Sequence, residues 1–294
     1  MNKKAIALAL FNTLVIMAVE FAGGILSGSL ALISDAGHML TDAGSLLLSL
    51  LAAQFSRRPS TERRTFGLYR LEILAALFNG AVLIVLAIFI IYEAVQRIYH
   101  PEPIKGALMM AVAVIGLVSN LLSAYWLADK REKNLNIKGA FLHVIWDAVS
   151  SVGVIAAGLI IMFTGFTIVD PLVSFVISIF VLKGGWGLLR ESVDILLEST
   201  PSDINIDKVK RSIKENAKEI KDVHDIHVWT ITSGIRALSA HLLIEDAKVS
   251  KCADIAGKTK EMLERKYDIT HATLEFECKS CEENAACTIN RNQK

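Results

Sequence analysis

Two pairs of potential metal ligands occur at the same spacing in two separate apolar segments. His38 and Asp42 are four residues apart in one segment, and His143 and Asp147 are four residues apart in the other. This separation places both side chains of a pair on one face of a helix, one turn apart. If the two helices face each other, two imidazoles and two carboxylates meet at one point. Such a tetrahedral set suits Zn²⁺, and its carboxylates would neutralise the charge of the ion.

An alternative interpretation is that each pair only links neighbouring helices by hydrogen bonds. Ionisable groups are rare within membrane helices, because each costs about 2.5–3.5 kcal/mol at the centre of a helix. The repeated spacing favours a metal site, because chance explains two matching pairs much less well than one. Asp35 is predicted either to line an exit path or to form a helix-start interaction with Ser34, and Glu20 either to face the same cavity or to hydrogen-bond a neighbouring helix. Asp170, which precedes Pro171, is predicted to be a helix N-cap.

The elements that carry these pairs follow from composition and hydropathy. The chain has 294 residues, is 53% hydrophobic and 21% charged, and has a net charge of +1. The apolar fraction argues against an ordinary soluble protein, and the small net charge argues against binding to nucleic acid, which requires a basic surface. Six apolar stretches reach the length of about 20 residues that a membrane helix needs: residues 5–27, 31–54, 71–98, 106–128, 138–163 and 168–190. Residues 1–190 are therefore predicted to form a six-helix transmembrane domain.

Basic residues are concentrated at alternate ends of these stretches. Lysines precede the first stretch, and clusters of basic residues follow the second and the fourth: Arg57, Arg58, Arg63, Arg64 and Arg70, and then Lys130, Arg131, Lys133 and Lys138. The positive-inside rule then places both termini in the cytoplasm. The first stretch contains Glu20 and has no evident small-residue cleavage site, so it is interpreted as a membrane helix and not as a signal peptide.

Four motifs resemble those of one transporter family, the cation diffusion facilitators. They are residues 29–42 (SLALISDAGHMLTD), 66–72 (FGLYRLE), 143–154 (HVIWDAVSSVGV) and 223–229 (VHDIHVW). The resemblance extends over nearly the whole chain. It implies a homodimer that exports divalent metal, usually zinc, in exchange for protons, through a six-helix membrane domain and a cytoplasmic ferredoxin-like domain.

The resemblance also implies roles for particular residues. The transport site would consist of His38, Asp42, His143 and Asp147, and a histidine in both helices resembles the zinc-preferring branch, which often also accepts cadmium or cobalt. Arg70 and Glu198 match positions where the family tends to have a charge interlock near the dimer interface, although both residues would also suit an ordinary surface.

The loops depart from the pattern of some relatives. Residues 54–69 contain no His, Asp or Cys and only one acidic residue, Glu62, so no second metal site is expected there. Residues 129–138 lack the His-rich loop of many eukaryotic relatives. The chain is therefore expected to be a multi-pass protein of a bacterial or archaeal plasma membrane.

The remainder of the chain has the pattern of a soluble α+β domain. Residues 191–200 are predicted to be a linker, 201–277 a cytoplasmic metal-sensing and dimerisation domain, and 278–294 a cysteine-containing tail that is partly disordered. The predicted elements are a helix at 202–217, strands at 223–231 and 235–245, a helix at 249–266 and a strand at 269–277. This αββαβ order agrees with the ferredoxin-like domain that the family implies.

Histidines and cysteines in this domain suggest further metal sites. By resemblance, His224, His241 and His271 match positions that bind regulatory metal in some relatives; alternatively, these strand histidines bind nothing. Cys278 and Cys281 have the Cys-x2-Cys spacing of metal thiolates, although an unoccupied reduced pair is the other interpretation. A disulfide is not expected, because the domain is predicted to lie in the reducing cytoplasm.

These observations predict a secondary active transporter that exports Zn²⁺ in exchange for protons, with Zn²⁺ also acting as a regulatory ligand. The alternative is a membrane-anchored cytoplasmic zinc sensor without transport, although an anchor would not need His/Asp pairs in two membrane helices. An intramembrane metalloprotease would require a His-Glu-x-x-His motif. The sequence contains none, so no enzymatic activity is expected.

Overall fold

The chain forms two compact units. The structure, a computed structural model, describes residues 3–40, 44, 61–128 and 135–278. Of these, the first unit comprises residues 3–44 and Ala75–Arg190, and the second comprises residues 61–74 and 191–278. Residues 61–74, which precede and begin the third apolar helix, therefore group with the C-terminal part of the chain.

Six apolar helices among the described residues confirm the predicted membrane architecture. They are α1 (Lys3–Ser27), α2 (Leu30–Leu40), α3 (Arg70–Tyr99), α4 (Gly106–Ala128), α5 (Leu135–Thr164) and α6 (Val169–Leu196). Helices α3 to α6 each contain a segment long and apolar enough to cross a membrane, and the described parts of α1 and α2 contain shorter apolar helices. Gly28 and Gly165 have positive φ angles of 76° and 67°. They separate α1 from α2 and α5 from α6, as their positions in the sequence predict.

The core of the first unit joins α2, α4 and α5. Its buried residues are mostly small or branched: Ala31, Leu32, Met109, Ala113, Val154, Ala157 and Ile161. A Cβ added to Gly106 on α4 would lie 3.0 Å from the carbonyl oxygen of Gly158 on α5. The missing side chain therefore allows α4 to approach α5 closely, as small residues commonly do between membrane helices.

Asp170 connects the start of α6 to the start of α2. Its carboxylate accepts hydrogen bonds from the Ser29 hydroxyl at 2.5 Å and from the backbone N–H groups of Leu30 at 2.8 Å and Ala31 at 3.2 Å. The sequence predicted an N-cap for the helix that Asp170 itself begins. The structure corrects that prediction, because Asp170 lies within α6 and satisfies the free N–H groups of α2 instead.

The second unit contains the predicted αββαβ domain. Its elements are α7 (Ile206–Asn216), β1 (Ile220–Thr232), β2 (Ile235–Ile244), α8 (Val249–Tyr267) and β3 (Ile269–Glu277). β2 is the central strand, antiparallel to β1 and parallel to β3. Residues from all five elements form one hydrophobic core, which includes Val209, Ile213, Leu238, Leu242 and Leu263.

Helix α7 begins later than its sequence pattern predicts. The Asn205 side chain accepts a hydrogen bond from the backbone N–H of Lys208 at 3.0 Å and forms the N-cap. The prediction placed the start at Pro201 and Ser202. Asparagine is at least as good an N-cap as serine, and Asn205 directly precedes the residues that pack in the core.

Candidate metal sites

A cavity in the first unit contains two of the four predicted transport ligands. It has a volume of about 740 Å³ and lies between α2, α5 and α6. His38 of α2 and Asp147 of α5 line it, and Val173 and Ile177 belong to its apolar wall. Asp147 is only 5% exposed. One side chain of each predicted pair thus lines the same cavity.

The other two predicted ligands are described less fully. His143 lies on α5, one turn before Asp147, but its side chain is outside the described part of the structure. Asp42 is outside the described residues altogether. The four-ligand set of His38, Asp42, His143 and Asp147 therefore stays a prediction.

Asp35 also lines this cavity and links α2 to α5. It is buried, and its Oδ1 atom accepts a hydrogen bond of 2.7 Å from the Ser150 hydroxyl. The Ser150 hydroxyl is also 3.0 Å from the carbonyl oxygen of Asp147. Asp35 is therefore part of the cavity wall, and its role in an exit path stays a prediction.

Glu20 adds a further buried acid to this region. It is 1% exposed, and neither carboxyl oxygen has a hydrogen-bond partner among the described residues. Its carboxyl group interacts electrostatically with those of Asp35 and Asp147, and it occupies the space that a side chain at Gly116 of α4 would fill. Acidic groups from α1, α2 and α5 thus lie close enough to one another to interact in this region.

A second set of candidate ligands lies on the sheet of the second unit. His224 of β1 is paired in register with His241 of β2, and their ring centroids are 5.5 Å apart. Glu277 of β3 reaches both rings, at 3.1 Å from His224 Nε2 and 2.7 Å from His241 Nδ1. Among the described residues, these three form a group whose ligand atoms all lie within 4.8 Å of one another. Two imidazoles and a carboxylate are a common zinc ligand set.

Three further carboxylates surround this His224–His241–Glu277 cluster. Glu275 and Asp225 are 3.5 Å and 3.6 Å from His241 Nε2, and Asp222 is 3.9 Å from His224 Nδ1. Asp225 lies at an irregularity in β1 and has a left-handed φ of 45°. A bulge redirects side chains in this way, and here it accompanies the approach of Asp225 to His241. The surrounding negative charge favours a bound cation.

The structure does not bring His271 into this cluster. His271 is paired with Ala237 in the β2–β3 register, six residues before Glu277, and its ring packs edge-on against Phe66 with centroids 6.0 Å apart. Cys278 is exposed immediately after β3, and it is not part of the cluster either. Cys281 lies outside the described residues.

The sequence interpretation missed the acidic residues in and next to the cluster. Glu275 and Glu277 are two residues apart and therefore lie on one face of β3. The alternation of Glu275 and Glu277, in a strand predicted to lie near the histidine-bearing hairpin, was the sequence signal that could have identified them as candidate ligands. The register between β2 and β3, which places Glu275 beside His241, is not contained in the local pattern.

The predicted interlock residues are in direct contact. Arg70, at the start of α3, and Glu198, just after α6, form an ion pair at 2.6 Å, with both side chains well exposed. A second contact near it was not predicted. Glu72 accepts hydrogen bonds from the hydroxyls of Thr232 at 2.7 Å and Ser233 at 3.0 Å. These bonds attach the first turn of α3 to the β1–β2 turn.

Comparisons with known proteins cover the whole architecture. Residues 6–197 match the family described as the cation efflux transmembrane domain, and residues 201–278 match the cytoplasmic domain of cation efflux proteins. A solved structure, the metal-bound C-terminal domain of the CzcD transporter from Cupriavidus metallidurans, is 32% identical, with a TM-score of 0.23. The alignment covers 25% of this chain and 99% of the chain in the solved structure.

Full-length relatives are similar over nearly their entire length. The metal cation efflux system protein CzcD of Cupriavidus metallidurans is 42% identical over 96% of this chain and 89% of its own. The zinc transporter ZitB of Escherichia coli is 43% identical over 95% of this chain and 89% of its own. The cadmium, cobalt and zinc/H(+)-K(+) antiporter of Bacillus subtilis is 42% identical over 94% and 89%.

Proposed function

This chain belongs to the cation diffusion facilitator family, and we propose that it exports Zn²⁺ from the cytoplasm in exchange for protons, with Cd²⁺ and Co²⁺ as further substrates. The printed names of its relatives support this cargo, since they include zinc transporters and a cadmium, cobalt and zinc antiporter. The observation that carries the proposal is the cavity between α2, α5 and α6. His38 and Asp147, from separate apolar helices, both line this cavity, which supports their proposed role as ligands.

In this mechanism, His38, Asp42, His143 and Asp147 bind the metal as it enters from the cytoplasm. The imidazoles must be deprotonated to act as ligands, so metal binding and proton binding exclude each other. When the helices rearrange and the site opens to the other side, protons compete for the same groups and release the metal. Metal release and proton uptake are therefore one exchange at the same groups.

The second unit supplies a regulatory site in this proposal. The His224–His241–Glu277 cluster binds cytoplasmic Zn²⁺, and the tail domains of two chains associate in a homodimer. Zinc shifts the equilibrium toward a transporting conformation only if it binds that conformation more tightly. Both termini are cytoplasmic, and the membrane is a bacterial or archaeal plasma membrane.

The decisive experiment is zinc flux into proteoliposomes across a pH gradient. Asp147→Ala should abolish flux, whereas Val152→Ala, at an exposed position on the same helix outside the cavity wall, should retain it. Zinc, cadmium, cobalt and manganese are compared under the same gradient. Unchanged flux in Asp147→Ala would contradict the ligand assignment, and flux that ignores the pH gradient would contradict antiport.

The His224–His241–Glu277 cluster also favours a second candidate, a membrane-anchored zinc sensor. Absence of flux with intact zinc binding by the tail domain would support that function. We do not propose an enzymatic role, since the sequence lacks a His-Glu-x-x-His motif, and the metal ions are treated as cargo and regulator.

A further inference from the structure

A basic pocket in the second unit has no part in the transport mechanism described above. It has a volume of about 310 Å³, and its walls include Arg63, Arg64, Tyr69, Arg70 and Trp229. We call these five residues the arginine pocket. Its volume falls in the range of about 300–1,000 Å³ that is typical of small-molecule sites. One acidic residue, Glu198, is among the lining residues, and it is paired with Arg70. Arg63 and Arg64 therefore leave the pocket with an excess of positive charge.

The backbone that carries Arg63 and Arg64 is held in a tight turn. The N–H of Arg64 donates to the carbonyl of Thr61 at 2.9 Å, and the N–H of Thr61 donates to the carbonyl of Arg64 at 3.2 Å. The N–H of Gly67 also donates to the Arg64 carbonyl, at 2.8 Å, and Gly67 has a φ of 71° that favours glycine. Because the turn is already ordered, a ligand need not order the backbone when it binds.

The pocket lies at the ends of two membrane-spanning helices. Arg70 is the first residue of α3, and Glu198 follows shortly after α6 ends at Leu196. Both helices are long and apolar enough to cross a membrane. In the sequence, Arg57 and Arg58 precede Arg63 by only a few residues. Tyrosine is enriched at the level of lipid headgroups, so Tyr69, which directly precedes α3, suits this location.

We infer that the arginine pocket binds a phosphate group, supplied by the headgroup of an anionic phospholipid. A guanidinium group presents N–H donors in a planar fork that matches two phosphate oxygens. Two arginines without a carboxylate partner in the pocket wall, at the end of a membrane helix, provide the charge and the geometry for such a headgroup. Basic residues next to membrane helices are attracted to anionic lipids for the same reason. The inference does not depend on which metal the protein transports.

The test is lipid binding to the full-length protein, measured by native mass spectrometry in a neutral detergent. Phosphatidylglycerol is compared with phosphatidylcholine, whose headgroup has no net charge. The test variant is Arg63→Gln/Arg64→Gln. The control variant, Lys260→Gln/Arg265→Gln on the exposed face of α8, removes the same charge elsewhere. We expect the wild type and the control to prefer phosphatidylglycerol, and the test variant to bind it at least about tenfold more weakly, as the loss of one charge-assisted hydrogen bond predicts.

Two additional arms identify the source of the phosphate and exclude a folding defect. Glycerol 3-phosphate and inorganic phosphate are added as competitors. If either of them displaces the lipid at equal concentration, the assignment to a lipid is overturned.

Arg63→Lys/Arg64→Lys keeps the charge and removes the planar fork, so it should weaken phosphatidylglycerol binding while retaining the wild-type melting temperature. Equal losses in the pocket and α8 variants would show a general effect of charge and would overturn the inference.

Discussion

The histidines on the tail sheet differ in the ligands that surround them. His241 is 2.7 Å from a Glu277 oxygen and has His224 opposite it, whereas His271 contacts an aromatic ring. A metal ion binds where several ligand atoms converge on one point. The free energy of metal binding then favours the deprotonated form of the ligands. A histidine on a strand is therefore a metal ligand because of its cross-strand neighbours, and the residue type alone does not decide it.

Zinc binding to the full-length protein tests this difference. His241→Ala and Glu277→Gln should each weaken zinc binding to the tail site by at least about tenfold, since even residues that only support ligands typically contribute 10–100-fold to metal affinity. His271→Ala should leave the affinity unchanged. Isothermal titration in an Asp147→Ala background isolates the tail site from the membrane site. Equal losses in the His241 and His271 variants would contradict the proposed cluster.

Gly116 and Glu20 provide a test of packing inside the membrane domain. A Cβ at position 116 would overlap the Glu20 carboxyl group, and overpacking of this kind typically costs about 1–3 kcal/mol. Gly116→Ala should therefore lower the melting temperature in detergent. Gly184→Ala on α6 is the matched control, because a Cβ there meets nothing within 4 Å.

The double variant Glu20→Ala/Gly116→Ala makes the prediction specific. Removal of the Glu20 side chain should reduce the cost of the added methyl group, since the two effects share one contact and are not additive. Equal melting temperatures for Gly116→Ala and Gly184→Ala would show that Glu20 does not occupy this space.

At the scale of elements, the first turn of α2 depends on α6. Asp170 accepts three hydrogen bonds from the start of α2, the helix that carries Asp35 and His38. Asp170→Ala would leave three buried donors without this acceptor, and one buried unsatisfied group alone typically costs about 1–3 kcal/mol. We expect a clear decrease in melting temperature and in zinc flux.

Asp203→Ala is the control for this variant, because Asp203 is an exposed acid that pairs with Arg236 at the surface. Exposed ion pairs contribute about 0–1 kcal/mol, so its melting temperature should stay close to that of the wild type. If Asp170→Ala were equally stable, the start of α2 would not depend on this cap.

The elements themselves were largely predictable, because their signals are local. Continuous apolar stretches identified the six membrane helices, and alternation identified β3 from Ile269 to Glu277 with the bounds that the structure has. The role of Asp170 was not predictable, since an Asp-Pro sequence resembles a local N-cap while its actual partners are about 140 residues away. Glu277 was missed for a similar reason. Its place beside both histidines depends on a parallel strand pairing, and that pairing is a tertiary property.

At the scale of the whole molecule, the β1–β2 hairpin takes part in two distinct interactions. Its strands carry His224 and His241, and its turn donates hydrogen bonds from Thr232 and Ser233 to Glu72 in the first turn of α3. A change in strand geometry on metal binding would therefore reach a membrane helix through Glu72. A contact alone does not establish such coupling. The coupling has to be tested by measuring zinc binding at the tail site and flux through the membrane domain in the same variant.

Zinc-dependent activation of flux in Glu72→Ala supplies that evidence. We expect the variant to bind zinc at the His224–His241–Glu277 cluster with wild-type affinity and to lose most of the activation of flux by cytoplasmic zinc, because the hairpin no longer contacts α3 through this carboxylate. Glu62→Ala, which removes an exposed acid from the same segment, should retain the activation. Coupling free energies of 1–3 kcal/mol are typical and correspond to about 5–150-fold, so the loss should be measurable. Full activation in Glu72→Ala would exclude this contact as the route between the tail domain and α3.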